Sequence, residues 1–160
     1  VSLMTYGDDN IMSVKKGYDA YNHTRIAGVL ADAGITYTMA DKEAESVPFI
    51  NGEDAGFLKR DAVWDPELGL YRARLDEDSI SKSLHAHIKS EAITEQQHSA
   101  EAIIGAADEY FEYGREIYDR RRDELHKVAY HCGLSGLVGE LMTYDDQLQR
   151  FCERHAWKLQ

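Results

Sequence analysis

The chain has 160 residues, 43% hydrophobic and 29% charged, a globular composition long enough for one domain with a modest second layer or for two small domains. Its formal net charge of -11 excludes a protein that coats nucleic acid by bulk positive charge, but leaves room for a basic channel on an acidic body. Two cysteines, Cys132 and Cys152, suggest neither a disulfide framework nor a metal cluster, a usage compatible with a reducing compartment. No apolar run reaches transmembrane length and no signal-peptide pattern is present.

The first residue is Val1, already inside a strand pattern, so the sequence reads as a piece of a longer chain. Residues 1–6 are β-rich and residues 10–14 suit a return strand, with Gly7, Asp8 and Asp9 as the turn between them. Lys15, Lys16 and Gly17 follow. Ile26, Val29, Leu30 and Ala33 then form a helical stripe, which predicts a helix over 22–33 capped by Asn22 and stopped by Gly34. Residues 35–39 read as a short strand. Residues 40–56 have no sustained periodicity and read as a functional or connecting loop.

A second hairpin is expected from Phe57 to about Trp64, turning through Asp65-Pro66-Glu67 and returning through Leu70-Tyr71-Arg72. From Asp76 the texture is helical. Ile80, Leu84 and Ile88 space one helix by four. Ala100, Ile103, Ile104, Ala107 and Phe111 mark a second, which the pattern continues past a bend near Gly114 through Ile117, Leu125 and Val128 to His131. Gly133 and Gly136 break the pattern, and a last helix over 144–155 has Thr143 as its cap with Asp146 three residues on. The expected division falls near Leu75. Both parts are acidic, with eight basic and twelve acidic residues before it and ten and seventeen after it. The fold class is therefore α+β: antiparallel hairpins followed by a mostly helical region.

The chemistry-bearing feature is the first turn. A turn relaxes the alternation of strand side chains, so Asp8 and Asp9 can converge on one region, and Gly7 lets the backbone bend. Adjacent hard oxygen ligands suit Mg²⁺ or Mn²⁺, and paired ions of this kind serve phosphoryl chemistry. Gly-Asp-Asp-Asn is also good turn chemistry with no metal at all, and two carboxylates do not complete a two-metal cage. Nothing in Asp19, Asp32 or Asp41 identifies a third ligand.

Three signals in order carry a resemblance. Tyr6-Gly7-Asp8-Asp9-Asn10 is similar to motif C, Thr38-Met39-Ala40-Asp41-Lys42 to motif D, and Phe57-Leu58-Lys59-Arg60 to motif E of RNA-dependent RNA polymerases from picornavirus-like positive-strand RNA viruses. Leu75-Asp76, followed by Ser79-Ile80 and helix, resembles the entry to the thumb. The resemblance implies a partial right-hand polymerase, with late palm over 1–75 and thumb over 76–160, lacking the fingers and the earlier palm motifs A and B. It implies catalytic roles for Asp8, Asp9 and Lys42, with Asp8 and Asp9 as Mg²⁺ ligands (Mn²⁺ as the alternative ion) and Lys42 as general acid. Lys59 and Arg60 become candidates for contact with primer RNA. Because adjacent strand residues face opposite ways, they are not expected to share one phosphate.

The implied partners are template and primer RNA, nucleoside triphosphates, the missing fingers and upstream palm, and other viral replication proteins. The implied location is the host cytoplasm, at membrane-associated replication complexes. The isolated segment is expected to be inactive. Two other readings stay open: a palm and thumb piece of a reverse transcriptase, and a non-catalytic acidic helical interaction domain.

Other features read as structural. Arg120, Arg121 and Arg122 lie among Asp119, Asp123 and Glu124, which suits a salt-bridged helix face. Tyr110, Phe111, Tyr113 and Tyr118 are too widely spread around a helix to make one stacking platform. His85, His87, His98, His126, His131 and His155 have no compact ligand spacing.

Overall fold

The computed structural model describes residues 1–86, 89 and 91–155. Two antiparallel hairpins precede a largely helical region, the α+β class expected. Strand β1 (Ser2–Tyr6) pairs with β2 (Asp9–Ser13), followed by helix α1 (His23–Asp32), a single 3-10 turn (Gly52–Asp54), and strands β3 (Arg60–Asp65) and β4 (Leu70–Leu75). Then come α2 (Glu77–His85), α3 (Glu95–Phe111), α4 (Arg115–His131), the short α5 (Ser135–Val138) and α6 (Tyr144–His155). Ile88, expected to extend the stripe of α2, lies outside the described residues. Among the described residues no helix is long and apolar enough to cross a membrane.

By packing, the chain forms one unit over Val1–Ala62 and a second from Val63 onward. Secondary structure changes from strand to helix later, between Leu75 and Glu77. The packing division comes earlier because β4 carries its own side chains into the helical core.

In the first unit no described residue is buried. Its order comes from local devices. Asn22 caps α1, its Oδ1 accepting from Arg25 N at 3.0 Å, as expected. At the other end Ile35 N donates to Leu30 O at 2.9 Å and Gly34 N to Ala31 O at 2.9 Å, with Gly34 at φ +77. These are the paired bonds of a Schellman cap, and the positive φ explains the glycine. Residues 35–39 are not a strand, contrary to expectation. Each sheet among the described residues has just two strands, and this β-prone segment pairs with neither.

The second unit holds the core. Helix α3 contacts α2, α4, α5, α6 and β4, and buries Ala100, Ile103, Ala106, Ala107, Tyr110 and Phe111. The small residues of that stripe let neighbouring helices approach, while Tyr118, Leu125 and Ala129 of α4 and Tyr144 and Leu148 of α6 fill the space around it. Gly114, at φ +86, separates α3 from α4, so the expected bent helix is two helices. Thr94 caps α3 in a reciprocal box with Gln97. Thr143 and Asp146 do the same at α6, as the spacing predicted: Asp146 N donates to Thr143 Oγ1 at 3.2 Å and Thr143 N to Asp146 Oδ2 at 3.2 Å.

Tyr110, Phe111 and Tyr118 are buried in the core and Tyr113 packs against it, half-buried. Phe111 lies 5.1 Å from Tyr144 and 6.3 Å from Tyr118, ring centroid to centroid. Arg72 of β4 enters this cluster with only 4% exposure. Its guanidinium sits 4.8 Å from the Phe111 ring centroid, donates to Phe111 O at 2.7 Å and to Tyr144 Oη at 2.6 Å, and is paired through Nε with Asp65. Asp65 also closes the turn to β4, accepting from Glu67 N at 2.8 Å and Leu68 N at 3.1 Å. Arg121 bridges Glu77 at 2.8 Å and Glu124 at 2.9 Å, as expected of a salt-bridged face.

Burial pushes the Asp65 carboxyl upward, but the Arg72 hydrogen bond and the turn amides outweigh it, so its pKa is lowered from 3.8. A depressed folded pKa gives stability that is present above the unfolded value and lost as pH falls through the folded one. Arg72→Met leaves that carboxylate without its partner and should destabilise the helical unit by about 3–5 kcal/mol. Tyr144→Phe removes one acceptor and should cost about 1–3 kcal/mol. Asp65→Asn should flatten the acid limb of stability below pH 4. Denaturant titrations followed by circular dichroism at several pH values read all three.

Candidate functional site

Two chemistry-bearing segments form two-residue turns of different kinds, one joining β1 to β2 and one just before β3. In the first, Tyr6 pairs with Asp9, leaving Gly7 and Asp8 as the loop. Gly7 takes φ +61 while Asp8 does not enter the positive region, the pattern of a type II′ turn. A Cβ on Gly7 would meet nothing within 4 Å, so conformation rather than space demands the glycine.

Asp8 therefore belongs to the turn and Asp9 to the ladder, both exposed. Alternation along β2 places Asp9, Ile11 and Ser13 on one face and Asn10 and Met12 on the other. Asn10 is half-buried, and its Oδ1 accepts a 2.6 Å hydrogen bond from Tyr37 Oη. This bond ties the Asn10 face of β2 to Tyr37, while Asp9 lies on the opposite face.

Tyr37 opens onto the segment that carries Lys42. Its ring stacks on His23, with centroids 4.9 Å apart and planes at 25°. His23 lies 2.8 Å through Nδ1 from Ser46 Oγ, and its backbone N–H donates to Pro48 O at 3.2 Å. Between these points the chain turns at Asp41, whose carboxylate accepts from Glu43 N at 3.0 Å and whose carbonyl accepts from Ala44 N at 3.1 Å. Asp41 is thus committed to the turn, and Lys42 sits at its bend, exposed. Tyr37, His23 and Ser46 were not singled out from the sequence, and Asn10 was named there only as the end of the motif C stretch. The pairs lie 27 and 23 residues apart, and no local pattern announces them.

The second turn corrects an expectation. Phe57 and Arg60 exchange backbone hydrogen bonds at 3.0 Å each, with Leu58 and Lys59 as the loop at φ 55 and 62. Two central residues at positive φ make a type I′ turn, which normally takes Asn and Gly. Lys59 is therefore the exposed tip of a tight turn and Arg60 is the first residue of β3. The strand-alternation argument separating their side chains does not apply. Leu58 and Lys59 hold a conformation that costs an L-residue about 1–2 kcal/mol each, which marks the turn as strained.

Asp8 and Asp9 are hard carboxylate donors, suited to Mg²⁺ or Mn²⁺. Among the described residues no group of three or more His, Cys, Asp or Glu is placed to hold a metal ion. The donor chemistry of the two carboxylates suits a divalent cation, and two carboxylates alone do not complete a ligand set. Cys132 and Cys152 are free thiols. His87 lies outside the described residues.

A family model described as viral RNA-dependent RNA polymerase matches residues 1–122. The RNA1 polyprotein of Cowpea mosaic virus (strain SB) is 30% identical over 162 aligned positions, covering 96% of this chain and 8% of its own length. The genome polyprotein of Rice tungro spherical virus (strain Vt6) is 33% identical over 136, covering 79% of this chain and 4% of its own length. The replicase polyprotein of Drosophila C virus (strain EB) is 32% identical over 126, with 78% and 7% covered. The chain therefore spans 8% or less of these relatives. With the carboxylate turn, the Asp41-Lys42 bend and the Phe57–Arg60 turn all inside the matched residues, the chain belongs to the viral RNA-dependent RNA polymerase family.

Proposed function

We propose that this chain is the late palm (residues 1–75) and thumb (76–160) of an RNA-directed RNA polymerase, and that it contributes part of the active site for template-directed nucleotidyl transfer. The observation that carries this reading is the Tyr6-Gly7-Asp8-Asp9 turn, two adjacent exposed carboxylates at a hairpin tip, in a chain of this family. The family match favours an RNA polymerase over a reverse transcriptase. It also favours an enzyme over a non-catalytic interaction domain.

In the reaction a primer 3′-hydroxyl gives up its proton to solvent, its oxygen forms a bond to the α-phosphorus of a nucleoside triphosphate, and the bond to pyrophosphate breaks. Divalent cations, when bound, supply the positive charge that offsets the charge developing on the attacking and leaving oxygens. Asp8 and Asp9 would hold those cations, Asp8 from the tip and Asp9 from the first ladder position. Lys42 would donate the proton taken up by the departing pyrophosphate, or stabilise its charge. Lys59, at the turn tip, and Arg60 beside it would hold the primer backbone, as charge-assisted phosphate contacts do.

The parent protein would supply the remaining palm and fingers. The exposure of Leu3 at 56%, Met4 at 61% and Tyr6 at 71% along β1 supports an apolar neighbour there. Work at cytoplasmic, membrane-associated replication complexes, with other viral replication proteins, is part of the same proposal.

Asp8→Asn in the full polymerase should lower primer extension at least about 10²-fold with RNA binding retained, and near-normal extension with Mg²⁺ would reject the assignment. Lys42→Leu should slow single-nucleotide incorporation by roughly 10²-fold while changing nucleotide affinity little. Equal incorporation rates would remove its acid role. Lys59→Gly relieves a strained position, so it should raise stability by about 1 kcal/mol while weakening affinity for primer and template RNA. Thermal melting and RNA titration at fixed salt separate the two effects, and unchanged RNA affinity would remove Lys59 from the interface.

A further inference from the structure

The segment bearing Lys42 is held at both ends by one side chain. Tyr37 before the Asp41 bend stacks on the His23 ring at 4.9 Å, and Ser46 after it lies 2.8 Å from His23 Nδ1. Ser46 Oγ also donates to Thr24 Oγ1 at 3.2 Å, which leaves its lone pair to receive the Nδ1 proton. The His23 backbone N–H holds Pro48 O at 3.2 Å. His23 Nε2 is buried with no hydrogen-bond partner among the described residues, so the stack and the Nδ1 bond set the ring's position. From the same neck, Tyr37 Oη reaches Asn10 Oδ1 at 2.6 Å, next in sequence to Asp9.

We propose that His23 is a positioning residue: it closes the neck of the 38–45 loop on Tyr37 and Ser46, and through Tyr37 and Asn10 sets that loop's place relative to the carboxylate turn. His23 touches no reacting atom in this scheme. It acts through Lys42, and the inference therefore rests on the acid role proposed for Lys42. An anchored neck confines the loop to a small set of conformations, so the ammonium meets the leaving group without a search for position. The Tyr37 bond makes the spacing between loop and turn depend on the β2 strand rather than on the exposed loop alone.

The test is pre-steady-state incorporation of one nucleotide by the full polymerase on an RNA primer and template. His23→Ala should lower the maximal incorporation rate about ten-fold, with apparent nucleotide affinity changed less than about two-fold. Combined with Lys42→Leu, His23→Ala should add no further loss, because the loop it positions then carries no proton donor. Tyr37→Phe, which keeps the ring stack but loses the Asn10 bond, and Ser46→Ala, which keeps the stack but loses the Nδ1 partner, should each give a smaller loss with the same non-additivity. They carry the test if His23→Ala does not fold. Multiplying losses in the double variants, or unchanged rates in all three single variants, would overturn the positioning role alone. A Lys42→Leu protein at the unaltered rate would overturn the acid role and this one with it.

Discussion

The helical unit is organised around one buried guanidinium. Arg72 arrives on a strand, not a helix, and is surrounded by the elements it joins: the Asp65 turn of its own hairpin, the last carbonyl of α3, and the hydroxyl of the first residue of α6. A charge at 4% exposure is tolerable only when each donor finds an acceptor. Here the acceptors also perform other tasks. Asp65 closes its hairpin, the Phe111 carbonyl is an orphan left by the end of α3, and the Tyr144 ring completes the aromatic cluster. Satisfying the arginine therefore fixes where β3 and β4, α3 and α6 meet, which apolar contacts alone would leave free to slide.

The first unit is built by different means. It has no buried residue among those described, and is held by caps, tight turns and a short chain of polar and stacking contacts. The groups with chemical potential, Asp8, Asp9, Lys42 and Lys59, all lie on turns or at their edges, exposed. Rigid neighbours hold them: the β1 and β2 ladder for the carboxylates, His23 and Tyr37 for the Lys42 bend, and reciprocal backbone bonds for the Lys59 tip. For the transfer chemistry proposed above, a mobile loop would lose the needed geometry and a buried one would keep substrate out. The strained type I′ turn at Leu58 and Lys59 fits this division, since a relaxed Asn-Gly turn would put no ammonium at the tip.

Much of this was legible in local sequence. Asn22 and Gly34 bound their helix where propensity and capping place them, and Thr143 with Asp146 forms the cap that its spacing announced. The order of the three short motifs pointed to the family that the comparisons show. Three readings failed for tertiary or conformational reasons. Residues 35–39 have strand composition but pair with no strand, and Tyr37 reaches β2 only through its side-chain bond to Asn10 while its ring stacks on His23. Leu58 and Lys59 carry none of the residue types that signal a type I′ turn, so the tip read as strand. The stripe on α3 and α4 runs across Gly114 as though continuous, because periodicity survives a break that only a positive φ reveals.

The sequence by itself determined the helix boundaries set by caps and glycines, the hairpin carrying Asp8 and Asp9, the acidic helical region and the family. These depend on residues a few positions apart, where backbone sterics and capping bonds act. Tertiary structure alone decided that Arg72 is buried, that Lys59 tips a turn, and that His23 gathers Tyr37 and Ser46 around the Lys42 loop. Those contacts join residues 23, 39 and 72 positions apart or require a strained backbone that the surroundings must enforce. No local preference encodes them, because their free energy exists only once distant side chains have been brought together.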